Sequence, residues 1–154
     1  MTMQTSKNSE INDAIRALRE AALRHKDDGV HSETPELQSL LEGLAARREA
    51  AAQAILAAWD DAPQATRTPH EAVALKHEAV ALKDAFSRVK AAVASDTDAV
   101  LAGECLTLET RAFNAVEAAR SHDIPAKLDS ALNDARDDIA RAMNALQPFL
   151  AEET

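Results

Sequence analysis

Apolar residues recur along most of this chain at alternating steps of three and four, the rhythm of one helix face. The first such stripe is Ile11, Ile15, Leu18 and Ala22. It predicts a helix from about Ser9, with Ser9 as cap and Asp13 near the positive end. Residues 26–33 are expected to fray it, with Gly29 as the break. A second helix opens at Thr34-Pro35-Glu36, where proline at the first helical position sacrifices no hydrogen bond. Its stripe is Leu37, Leu41 and Leu44, then Ala51, Ile55 and Trp59, and it ends at Asp60-Asp61-Ala62-Pro63. A third follows the capping box Thr68-Pro69-His70-Glu71. There the heptad HEAVALK occurs twice in succession, and the seam is Ala72, Leu75, Ala79, Leu82, Phe86, Val89 and Val93. Such a seam packs along its whole length against neighbours. A fourth helix runs from Ser95-Asp96-Thr97-Asp98 to about Ser121, with Leu101, Cys105, Leu108, Ala112 and Ala115 on a wide apolar face. The fifth starts at Pro125 and carries Leu128, Leu132, Ala135, Ile139, Ala142, Leu146 and Phe149.

Five helices of similar length joined by short loops predict an all-α antiparallel bundle. The expected organisation is a disordered tail over residues 1–8 and one helical domain over 9–150. A chain of 154 residues suits one core. Composition agrees: three glycines, no tyrosine and abundant alanine disfavour strands and favour helices. Lys plus Arg number 17 against 26 Asp plus Glu, a net charge of −9. That balance argues against nucleic acid and anionic membrane surfaces as partners. No run approaches the roughly 20 apolar residues of a membrane span, and no apolar leader is visible, so the cytoplasm is the expected location. One cysteine, Cys105, makes neither an internal disulfide nor a cysteine-cluster metal site.

The segments at Ile11-Asn12-Asp13, at Pro35-Glu36-Leu37 with LLEGLAARREAAAQAI behind it, and at AVLAGECLTLETRAFNAV carry a likeness. They resemble a bacterial family of four-helix-bundle proteins, of uncharacterised activity, in the ferritin-like superfamily. Its later helix typically carries Glu-Cys-Glu-x-Gly-Glu-Asp. Glu104, Cys105 and Glu109 match that run, whereas Leu106, Leu108 and Thr110 depart from it. The family's final helix usually carries a His-Asp pair, where this chain reads Arg136-Asp137. The resemblance implies a ferritin-like four-helix core in which the third predicted helix connects the second and third core helices. It implies little about activity.

The sharpest chemistry open to such a bundle is a di-iron carboxylate centre, built from inward carboxylates and Glu-x-x-His pairs. No Glu-x-x-His spacing occurs in the chain, and the stripes of the second and fifth helices carry no carboxylate. Glu104 and Glu109 stand about 140° apart around their helix and cannot serve one metal from one stripe. Glu109 is expected to pair with an arginine such as Arg111 or Arg47. His25 falls one step beyond the first stripe and reads as a hydrogen-bonded boundary residue; His70 and His77 read as solvated, and His122 as a loop residue. Cys105 reads as a small buried hydrophobe, and Trp59 as a plug at one bundle end. No catalytic, cofactor-binding or metal residue is therefore assigned. Glu104, Glu109, His25 and His31 are the first candidates should a metal be present.

The expected function is non-enzymatic: a helical bundle acting by self-association, as a homo-oligomer, or by binding a protein. Two alternatives stand beside it. One is an iron-handling or stress-related ferritin-like protein, and the other an acidic helical chaperone that binds a partner helix.

Overall fold

A computed structural model describes residues 3–62 and 97–150. Four α-helices follow in chain order: α1 Met3–His31, α2 Pro35–Ala58, α3 Thr97–Arg120 and α4 Ala126–Leu146. A short 3-10 turn, Gln147–Phe149, closes α4. Among the described residues there is no strand, and no helix is long and apolar enough to cross a membrane. The third predicted helix, with the HEAVALK repeat, His70 and His77, lies outside the described residues.

Two helix starts fall where prolines place them. Pro35 opens α2 behind an extended Thr34, and Pro125 precedes Ala126. The Thr34 side chain, however, makes no cap bond to α2. It donates instead to the Asp98 carboxylate. Asp98 also accepts from the Glu33 N–H at 2.8 Å and the Ser32 hydroxyl at 3.3 Å, so one carboxylate holds the α1–α2 turn against the start of α3.

The first helix differs from expectation at both ends. It begins at Met3, upstream of Ser9, and continues through residues 26–31 with Gly29 inside it. Packing overrides the local signals there. Asp28 is buried, and a Cβ built on Gly29 would lie 3.5 Å from the Leu41 Cβ, so α1 runs close against α2.

The helices form a square. α1 packs on α2 and α3, and α4 packs on α2 and α3, which puts α1 and α4 on one diagonal and α2 and α3 on the other. Ion pairs between distant residues show that neighbours are antiparallel. Arg111 meets Glu20 and His122 meets Glu10 across α1–α3; Arg120 meets Asp129 across α3–α4; Lys127 meets Asp60 at the far end of α2. Consequently α2 and α3 run parallel, and Ala62 and Thr97 lie at opposite ends of the bundle.

The interior holds two apolar clusters. One gathers Ile11, Ile15, Leu18, Ile55, Trp59, Val116, Leu128, Leu132 and Ile139 towards the Trp59 end. The other gathers Leu37, Leu41, Leu44, Ala102, Cys105, Ala142 and Leu146 towards the Asp98 end. Trp59 is buried at its end, where the sequence placed it. On α2 the inward alanine is Ala52 rather than Ala51.

Candidate functional site

Between the two apolar clusters lies a polar layer to which each helix contributes. α1 supplies His25, α2 Arg48, α3 Glu109 and α4 Asp138. The first three are wholly buried, and the side chain of Asp138 is 22% exposed. Arg48 is at the hub. Its Nε donates to both oxygens of Glu109, each at 3.0 Å, and its Nη1 donates to Asp138 Oδ2 at 2.7 Å. Glu109, a carboxylate already accepting from a guanidinium, also takes a hydrogen bond from His25 Nε2 at 3.1 Å. Asp138 has further cations in Arg47, at 3.1 Å, and Arg141, at 3.6 Å. Burial raises the Asp138 carboxyl pKa, but Arg48 and Arg47 outweigh it and hold the group below its ordinary value. Asp98 behaves likewise: desolvation raises it, and the bonds from Thr34, Glu33 and Ser32 prevail and lower it.

A second polar group lies one turn along α1 and α3. The Cys105 thiol donates to Asp28 Oδ2 at 3.6 Å, with both side chains buried, and Arg24 forms an ion pair with Glu104. Glu104 and Glu109 thus serve different cations on different faces of α3, as their spacing requires.

The four conditional metal candidates do not converge. His25 and Glu109 meet, Glu104 stands apart with Arg24, and His31 is exposed at the end of α1, with Nδ1 on the Asp27 carbonyl at 2.9 Å. Among the described residues, no group of three or more His, Cys, Asp and Glu side chains could hold a metal ion. Glu109 is buried on an arginine, but the arginine is Arg48. Arg111 reaches Glu20 instead, and Arg47 reaches Asp138.

No family model, curated protein or solved structure matches this chain.

Arg48 and Asp138 are the members of the layer that sequence reasoning missed. The signal for Arg48 was the gap between Leu44 and Ala51 in the second stripe, which the three-four rhythm fills at residue 48. Asp138 flanks the inward Ile139 and is drawn in by the guanidinium. The stripe of the fifth predicted helix carries no carboxylate, but the partly exposed Asp138 beside it reaches Arg48. His122 lies between α3 and α4 and ties that loop to Glu10 of α1.

The carboxylates of the layer are held by guanidinium groups, and Asp138 also borders the first of two outer hollows. One hollow, about 430 Å³, is an outer groove between α2 and α4 floored by Ala50, Ala51, Ala54, Ala131 and Ala135. The other, about 560 Å³, lies on the outer face between α1 and α2.

Proposed function

We propose that this protein is a non-catalytic helical bundle of ferritin-like arrangement that acts by self-association. The observation that carries the reading is the Arg48 guanidinium at the centre of the four helices, bonded to both central carboxylates, Glu109 and Asp138. A bound cation needs those oxygens free, and here the chain's own cation takes them. The antiparallel neighbours and the α2–α3 diagonal support the ferritin-like arrangement. A cytoplasmic location is part of the same reading.

With the interior closed, activity falls to the outer faces. Alanines along the α2–α4 groove let another helix approach closely without displacing large side chains. A second copy of the same chain brings the same small residues to a two-fold contact.

The test is a native mass spectrum of protein purified without added metal or chelator. The expected particle weighs a whole number of bare chains greater than one, and Ala131→Arg reduces it to one chain. Mass in excess of bare chains that matches bound metal overturns the non-catalytic reading and returns the iron-handling alternative. A wild-type monomer overturns self-association.

A further inference from the structure

The outer seam between α1 and α2 is open. Its floor is apolar, with Leu23 and Val30 from α1 and Ala45 and Ala46 from α2. Val30 is 71% exposed. Lys26 borders the groove on the α1 side, and Glu42 and Glu49, seven residues apart and both exposed, border it on the α2 side. An apolar strip with charged edges is the counterpart of an amphipathic segment with an apolar seam.

The chain carries such a segment, and its ends are fixed. Ala62 lies at the Trp59 end of the bundle and Thr97 beside Ser32–Thr34 at the other, so the described residues on either side of this segment stand at opposite ends of α2. The sequence predicts a helix here, and the 25 residues 69–93 at a rise of about 1.5 Å each would span about 37 Å, close to the length of α2. The seam Ala72, Leu75, Ala79, Leu82, Phe86, Val89 and Val93 is bordered by Lys76, Lys83 and Lys90 at seven-residue steps. Glu71 and Glu78 border its other side. A segment travelling from Ala62 to Thr97 runs antiparallel to α2. Glu49 precedes Ala62 by 13 residues and Lys76 follows it by 14; Glu42 and Lys83 stand 20 and 21 residues away. The two lysines and the two glutamates therefore share a seven-residue spacing, in opposite chain directions.

We propose that the α1–α2 groove is the docking surface for residues 69–93 of the same chain, seated by that apolar seam with Lys76 and Lys83 against Glu49 and Glu42. Such docking fills one of the two outer grooves from within and leaves the α2–α4 groove for a second copy.

Amide hydrogen exchange on the full chain, read by mass spectrometry, tests the proposal. Peptides covering 72–93 are expected to exchange about 100-fold slower than an open chain. Ala46→Arg, at an exposed position in the groove, abolishes that protection while peptides over 11–22 and 108–119 keep theirs. Ala54→Arg, in the other groove, leaves it unchanged. Open-chain exchange in the wild type, or protection that survives Ala46→Arg, overturns the proposal. So does protection that falls on dilution, which assigns the seam to a neighbouring copy. Charge reversal offers a second route: Glu42→Lys with Glu49→Lys weakens protection of 72–93, and Lys76→Glu with Lys83→Glu restores it. Failure of that rescue overturns the pairing. Native mass on the same samples reports self-association separately, so either reading can fail alone.

Discussion

Replacing Arg48 by methionine keeps most of the side-chain volume and removes the charge. Glu109 then remains wholly buried with only His25 Nε2 as a donor. Asp138 suffers less, because it is partly exposed and retains Arg47 and Arg141. Stranding one member of a buried ion pair costs about 3–5 kcal/mol. For a chain of this size each kcal/mol moves Tm by about 2–4 °C, so Arg48→Met should lower Tm by about 6–20 °C. The layer is also incompletely satisfied: among the described residues, Arg48 Nη2 and His25 Nδ1 have no hydrogen-bond partner. Removing the three wholly buried members together should therefore recover what the single change loses, since Asp138 keeps Arg47 and Arg141. The triple change His25→Leu, Arg48→Met and Glu109→Leu is expected within about 1 kcal/mol of wild type, or above it. Urea denaturation followed by far-ultraviolet ellipticity, at one fixed protein concentration, measures both. A loss below about 1 kcal/mol in the single variant, or a triple variant less stable than the single, would refute the placement of Arg48 as the counter-charge of Glu109.

Two further predictions concern the edges of the bundle. Gly29→Ala should raise stability by about 0.5–1 kcal/mol, because the added Cβ meets Leu41, Gln38 and Glu42 only at ordinary contact distances and removes a flexible residue from the interior of α1. A melting curve shifted downward would show that the helices cannot accept the methyl. Asp98 and Asp138 both titrate below their ordinary 3.8, so their stabilisation is complete above the unfolded value and is lost as pH falls through the folded one. Acid unfolding should begin as pH drops towards 3.8, and Asp98→Asn should flatten the dependence; an equally steep profile in that variant would remove Asp98 from the account.

Two helix starts were legible because proline acts locally: Pro35 and Pro125 need no tertiary partner to mark a boundary. The end of α1 was not legible for the same reason in reverse. Lys26, Asp27, Asp28 and Gly29 read as a helix terminus, and only burial of Asp28 beside Cys105 and the approach of Leu41 carry the helix on to His31. The polar layer was half legible. Spacing placed His25 one step beyond the first stripe as a hydrogen-bonded boundary residue, and Glu109 was expected to pair with an arginine. A hydrophobic stripe, however, passes over an inward arginine, and periodicity within one helix cannot say which of Arg47, Arg48 and Arg111 reaches across to another.

The polar layer also restricts how the helices can pair. Arg48 stands between Leu41 and Ile55 in a seven-residue series, and Glu109 between Ala102 and Val116. All four apolar residues are buried. An apolar series tolerates a slip of one heptad, since one aliphatic side chain replaces another at each level. The polar residues do not. Sliding α3 by seven residues against α2 separates Arg48 from Glu109 by about 10 Å along the axis and sets each against aliphatic groups. That strands two buried charges, and stranding even one costs about 3–5 kcal/mol, a large part of the 5–15 kcal/mol that holds such a domain together. Alanine-rich seams that would pack in several registers are thus confined to the one in which His25, Arg48, Glu109 and Asp138 lie at the same level.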